Sequence, residues 1–567
     1  MDRIIFLLLL CVGCWPSVGA TSEVPTAQWI WGTPGANEKA QAGRCEFQHH
    51  FSLTKPKQGE LIITCDNQYL VRLNGRLVGM GDDWEEQERY DVSELLKDGR
   101  NTIYVRCRNT DEGPAGLLAR LSVETQGGSQ TIVSDDRWEA KVQHAGTWDP
   151  TIIRRTPWTP VHRLGTAGAT DPWGKVRLAK DVQVVRPSVA FGAGSLQLES
   201  GDRVLFVGST LIERAQKYGL IEHALTTRFP NQHLLFRNLG WSGDTVFGHA
   251  RARFGTVADG FDHLETHVFA EKPNLILVGY GTNEAFAGAA GLDEFVQGLH
   301  LLIDTLSSTG ARIALLSPVR QENLGPPLPD PTEQNRRLSL YRNAIRQVAE
   351  DRRCGFIDLY AWVKPTTERK LTDNGMHLTA HGYQVAARAV EAGFAWPDRQ
   401  RRLVADWQAK SIEATGATVT DVSKADQELQ FDVLDAMLPL PTTNADSHSG
   451  RILKVQGLPP GTYQLSIDGD VIVVADQQQW QKGVAIVSGP EIEQANRLQA
   501  TINQKNELYF HRWRPQNETY LFLFRKHEQG NNAVEIPQFD PLIESKEQEI
   551  ATLRVPQTHH YRFRRVE

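Results

Sequence analysis

Cysteine is scarce: the chain has six in 567 residues, too few to staple a disulfide scaffold. A basic excess is also missing. With 61 Lys and Arg against 68 Asp and Glu the formal charge is −7, and the isoelectric point is near 6.2. That balance argues against a protein built to grip nucleic acid or anionic lipid. Long apolar runs are absent beyond the first dozen residues, and a mean hydropathy of −0.39 excludes a polytopic membrane protein. No Cys/His spacing resembles a zinc site, so no metal and no other cofactor is expected. What remains is ordinary globular composition, 40% hydrophobic and 23% charged, in a length that suggests three or four domains.

Arg3 is followed by an apolar run from Ile4 to Val12, then Pro16 and Val18-Gly19-Ala20. This is the pattern of a secretory signal covering residues 1–20, too short to span a membrane. The expectation is export to a periplasmic or extracellular space, with no integral membrane segment after cleavage. Lipid attachment at Cys14 is the weaker alternative, because Cys11 stands where such signals usually carry an aliphatic residue. Cleavage leaves Cys45, Cys65, Cys107 and Cys354. The first three admit one disulfide, whose pairing the sequence does not fix.

Three regions follow. Residues 25–165 hold short strand-like runs such as Glu60–Cys65 and Tyr69–Leu73. The latter leads into Asn74-Gly75, a hairpin turn signal. Few helical stretches intervene, so a β-sandwich is expected. Residues 195–397 change period. Strand runs at Val204–Val207, His233–Arg237, Asn274–Val278, Arg312–Leu316 and Gly355–Asp358 alternate with helical stretches at Ile212–Phe229, Leu292–Ser308 and Glu333–Arg352. That alternation predicts a parallel sheet covered on both faces, with ligands at the carboxyl ends of its strands. Residues 398–567 read as a small β-module and helices that pack back on the α/β body.

The order of "WIW", "YLVRLNGRLVG", "YDVSELLKDGRNTIYVRC", "PAGLLARL" and "SDDRWEA" resembles the galactose-binding-like sandwich at the front of bacterial rhamnosidases. Trp84 and Trp138 are there either as sugar-stacking rings or as core. In the middle region the blocks Gly208-Ser-Thr-Leu-Ile-Glu213, Gly240-Trp-Ser-Gly-Asp244, Gly279-Tyr-Gly-Thr-Asn-Glu284 and Asp373-Asn-Gly-Met-His377 resemble, in that order, the SGNH/GDSL hydrolase family. The resemblance implies a flavodoxin-like three-layer α/β fold. It also implies a hydroxyl nucleophile after the first strand, oxyanion donors at Gly243 and Asn283, and His377 as base.

Two positions depart from the family pattern. Thr210 stands where the nucleophilic Ser belongs, with Ser209 before it. Asn374 stands three residues before His377 where Asp belongs, with Asp373 one residue earlier. A Thr hydroxyl is a competent nucleophile, though its branched Cβ restricts χ1. An Asn cannot steady an imidazolium as a carboxylate does. The sequence therefore leaves three readings: a Thr210 site, a site shifted by one residue onto Ser209 and Asp373, or a site that no longer hydrolyses. Arg512, Arg514 and Arg525 in the tail form a candidate clamp for a carboxylate or sulfate, or else a solvated basic face. The Pro-rich loop Gly325–Pro331 is a lid or a plain surface loop. The leading expectation is an exported esterase acting on acyl substituents of a glycan or another ester-bearing small substrate. The alternative is a catalytically impaired carbohydrate-binding protein on the same fold.

Overall fold

Alternating apolar residues build the first unit. In the computed structural model the described residues are 25–144, 157–174, 176–182, 196–255, 257–364, 369–425, 427–441 and 450–566. They divide into two compact units, within 25–182 and within 196–566. The expected signal segment lies outside the described residues. No helix among the described residues is long and apolar enough to cross a membrane.

The first unit pairs two mainly antiparallel sheets of seven and six strands among the described residues. Strand Gly99–Asn109 buries every second side chain, the period of a half-buried strand. Residues Gln68–Leu73 and Arg76–Gly81 form the hairpin that Asn74-Gly75 announces. Both turn residues hold positive φ, 54° and 81°, as a type I′ turn requires. Trp138 is buried and donates its Nε1–H to the Val133 carbonyl at 2.8 Å. Trp84 packs against the stacked Trp29 and Trp173. Both rings therefore belong to cores. Cys45, Cys65 and Cys107 are free thiols sharing one core, where burial raises their pKa and they pack as small apolar groups.

The second unit begins with a five-stranded parallel sheet: β1 Arg203–Gly208, β2 Leu235–Gly240, β3 Leu275–Gly279, β4 Arg312–Leu316 and β5 Gly355–Ile357, in the order 2-1-3-4-5. Strand β3 is buried along its whole length, as a strand covered on both faces must be. Its helices are α1 Thr210–Tyr218, α2 Leu220–Arg228, α3 Val257–Ala270, α4 Leu292–Ser307, α5 Thr332–Arg352, α6 Leu359–Trp362 and α7 Ala380–Gly393. The single helix expected over 212–229 is in fact α1 and α2. Gly219 adopts φ 63° between them and closes α1 by donating to the Ala215 carbonyl. A side chain at Gly219 would meet the Asn503 Oδ1 at 2.4 Å, so the break lets the tail pack closely.

The tail folds as two further sheets and two long helices, α8 Pro490–Trp513 and α9 Phe539–Leu553. Thr558–Arg565, near the end of the chain, inserts between Glu428–Asp435 and Thr462–Ile467. Tyr463, Trp480 and Phe563 fill the core there. Helix α8 contacts the α/β body: Lys505 pairs with buried Glu222 at 2.8 Å, and Tyr509 donates to Glu271 at 2.7 Å.

Candidate active site

Strand β1 ends at Gly208, and the chain turns at Ser209 into α1. The two hydroxyls part at this turn. Ser209 is 1% exposed, and its N–H donates to the Gly279 carbonyl at 3.0 Å. Thr210 is half-buried, and its Oγ1 accepts the Gly243 N–H at 3.1 Å. It stands on the first turn of α1, where the helix dipole favours developing negative charge. Gly240, at the end of β2, lets α1 sit directly on that strand end, since a Cβ there would meet the Glu213 nitrogen at 2.2 Å.

The loop after β2 carries Gly243 at φ 78°, left-handed backbone that favours glycine. Its N–H is aimed by a buried network. Asp244 and Arg251 are both fully buried and paired at 2.6 Å. Tyr280 donates to Asp244 at 2.9 Å, and the Ala250 N–H adds a bond at 3.2 Å. Asn283, after β3, donates from Nδ2 to the Asp244 carbonyl at 2.8 Å. That uses one of its two amide hydrogens. Glu284 accepts the Val246 and Gly281 N–H groups at 3.0 and 2.8 Å and so ties the two loops together. Burial pushes its carboxyl up to about 6.

Glu213, one turn along α1 from Thr210, accepts the Ser242 N–H at 2.7 Å. The same oxygen accepts Arg514 at 2.8 Å, and the Arg514 guanidinium lies 3.5 Å over the Trp241 ring. The three tail arginines are thus divided among separate carboxylates. Arg512 holds Asp540 and Arg525 holds Glu528, so only Arg514 braces the loop that bears Gly243.

His377 lies before α7, whose Tyr383 donates to the Leu211 carbonyl at 2.6 Å. The loop leading to it is held from behind by buried Glu322, which accepts Leu371 N–H, Thr372 N–H and the Thr372 hydroxyl at 3.1, 2.9 and 2.6 Å. Glu322 therefore buttresses this loop, while residues 326–330 of the Pro-rich segment are exposed. Asp373 is engaged by Arg214 at 2.7 Å, and its carboxylate makes no hydrogen bond to the imidazole. Asn374 takes that place, with its Nδ2 3.1 Å from His377 Nδ1. Its Oδ1 accepts the Met376 and His377 N–H groups at 3.2 and 3.0 Å, which fixes the amide orientation. A neutral imidazole that accepts at Nδ1 carries its proton on Nε2. Burial, with Arg214 nearby, lowers the His377 pKa against the opposing pull of Asp373, so the ring is neutral at pH 7. No hydrogen bond joins His377 to Thr210 or Ser209 among the described residues.

Residues 207–385 match the GDSL-like lipase/acylhydrolase family. The match covers less than half of the chain and ends before the tail. Among solved structures, a gut microbial diltiazem-metabolizing enzyme is similar at a TM-score of 0.52 and 19% identity, over 66% of this chain and 100% of that one; this likeness shows a shared fold. An acetylxylan esterase from Geobacillus stearothermophilus, a catalytic mutant, matches at 0.30 and 20% identity over 36% and 98% of the two chains. The α-L-rhamnosidase of Streptomyces avermitilis matches at 0.25 and 28% identity over 28% and 16%. No curated protein matches.

Sequence reasoning named two candidate hydroxyls, the candidate oxyanion donors and the histidine, but not the braces. Glu213 and Glu284 sat inside quoted blocks as carboxylates, Glu213 three residues after Thr210 and Glu284 next to Asn283, a usable signal. Arg251 stood outside the quoted blocks although its partner Asp244 is on the same loop, and Glu322 carried no signal because its partners Leu371 and Thr372 come from another loop.

Proposed function

We propose that the second unit is an SGNH-type carboxylic-ester hydrolase of flavodoxin-like form with Thr210 as nucleophile. The observation that carries this is the Gly243 N–H, 3.1 Å from the Thr210 Oγ1 on a rigidly braced loop. Thr210 Oγ1 attacks the acyl carbonyl carbon. Charge gathers on the carbonyl oxygen, where Gly243 N–H and the second amide hydrogen of Asn283 meet it. The alcohol leaves with the proton lost by Thr210, and water then releases the acid from the acyl-threonine. The proton transfers belong to His377. In the resting geometry its Nε2 is a donor, so each turnover waits on a turn of the Asn374 amide that frees Nε2 as acceptor. In a serine-protease triad the equivalent Asp-to-Asn exchange costs roughly 10⁴ in kcat through the same tautomer effect. We read the protein accordingly as a slow, exported esterase. Acyl groups on a glycan are the favoured substrate, and the galactose-binding-like module over 25–165, the body over 195–397 and the tail over 398–567 serve as its parts.

The same tautomer favours a second reading, an acylated-glycan binder in which Nε2–H, Gly243 N–H and Asn283 hold an acyl oxygen without turnover. A fluorophosphonate probe with mass spectrometry separates the two. An adduct on Thr210, abolished in Thr210→Ala and kept in Ser209→Ala, supports the hydrolase. An adduct on Ser209 or none after prolonged exposure contradicts it.

A further inference from the structure

Strand β2 is an edge of the parallel sheet, and the tail helices do not close fully over it. A cleft of about 1000 Å³ runs there, between α3 on one side and α8 and α9 on the other. It reaches from His233 and Leu235 at the start of β2 to Arg253, His263 and Trp513 near its end, a span of about 20 Å for a six-residue strand. Such an elongated groove suits a chain-like ligand more than a compact one.

Its arginines are all paired, and Glu544 and Glu547 leave a slight excess of carboxylate. Arg203 and Arg237 share Glu271. Arg253 holds Glu518, and Arg512 holds Asp540. An anionic ligand would find no excess of positive charge. Apolar ring surface is supplied by Tyr509, Trp513 and Phe522, the last 47% exposed at the rim. Two lining side chains, each more than nine-tenths buried, keep polar atoms without a partner: Trp513 Nε1–H and His263 Nδ1. Their rings are 6.2 Å apart. Burial holds the His263 pKa far below its usual value, so the ring is neutral and offers an acceptor. A donor and an acceptor left unpartnered on neighbouring rings are complementary to a hydroxyl, which accepts from one and donates to the other. Rings flanked by paired polar groups are complementary to the apolar faces and hydroxyl edges of a sugar. The Trp241 ring packs on both Trp513 and His263, at 5.8 and 5.3 Å, so this end of the groove abuts the loop that bears Gly243.

We propose that this groove binds a neutral oligosaccharide, with Trp513 and His263 recognising one hydroxyl. The proposal rests on the glycan-ester reading for the identity of the chain, but binding itself needs no hydrolysis. The test is titration calorimetry of the full chain with unesterified xylohexaose, mannohexaose and, as the anionic comparison, galacturonate hexamer. At least one neutral hexamer binds, and the galacturonate binds less well. Trp513→Phe, which keeps the ring and loses the N–H, weakens binding about tenfold, and Phe522→Ala at the exposed rim weakens it about fivefold. Because both changes lie in the groove, sugar bound elsewhere on the chain would not respond to them. Binding by neither neutral hexamer, tighter binding of galacturonate, or binding indifferent to both variants overturns the proposal. Thr210 that fails to react with the fluorophosphonate while the hexamer still binds would overturn the esterase reading alone.

Discussion

The two halves of the candidate site are built to different standards. On the oxyanion side, Gly243 and Asn283 are held by Asp244, Arg251, Tyr280, Glu284 and, through Glu213, by Arg514. On the base side, His377 has a firmly placed loop behind it but the wrong partner at Nδ1. On the proposed reading, the donor side is pre-organised and the proton chemistry of the base side is what departs. Pre-organisation of donors survives such a change because backbone N–H groups do not titrate. A base does not survive it, since its function depends on which nitrogen carries one proton.

That contrast breaks most completely at the nucleophile both halves serve. Thr210→Ala is expected to bring ester hydrolysis to the rate of buffer, measured with p-nitrophenyl acetate, while Ser209→Ala leaves most of it. Next comes the oxyanion side itself. Asn283→Ala is expected to lower kcat by about 10²–10³, the cost of one such donor; an unchanged rate would remove Asn283 from the site. A smaller loss is expected at the brace. Arg514→Ala releases Glu213 from its cation and lowers kcat by about tenfold with little change in KM, the cost of a hydrogen bond to a charged group. Glu213→Gln in the same background adds little, because both act on the Ser242 N–H. Additive losses would show that Arg514 works elsewhere.

A last effect falls on stability and pH rather than on rate. His223 and His267 are pushed down to about 3 and about 4, mainly by burial. With folded pKa values below the unfolded 6.5, the unfolded chain binds their protons first, so stability is lost as pH falls below 6.5. Each group contributes up to about 1.4 kcal/mol per pH unit until its folded pKa is reached. Thermal melts between pH 7 and 4.5 should show the second unit losing stability on the acid side, with a shallower slope in His267→Asn. A melt independent of pH would contradict the burial of these rings.

Much of this was legible in the sequence. Apolar runs such as Val204–Val207 and Leu275–Val278 fixed the strands, because a doubly covered strand is apolar on both faces. The quoted blocks then fell on strand ends. Gly219 was the missed signal within the first helical stretch, and α3 went unread. Thr558–Arg565 was also missed, since its basic residues point outward and only Tyr561 and Phe563 reach the core. The register between Ser209 and Thr210 needed burial, which periodicity does not give. The fate of Asp373 needed Arg214, 159 residues away in the chain. The tail's share in the site was legible only as a cluster of arginines, because the partner that brings Arg514 to the site, Glu213, lies 301 residues away in the chain.

The measurement that bears most directly on the account is the kcat/KM of Asn374→Asp beside the unaltered chain, on one ester substrate across pH 5 to 9. A carboxylate at this position accepts from Nδ1–H, leaves Nε2 free as base and steadies the imidazolium. The account predicts a rise of about 10³–10⁴ at pH 8, by analogy with the triad exchange run in reverse, together with an acid limb moved to higher pH because the new carboxylate favours the protonated ring. An unchanged or lower rate with an unchanged melt would contradict the claim that the tautomer of His377 limits this site.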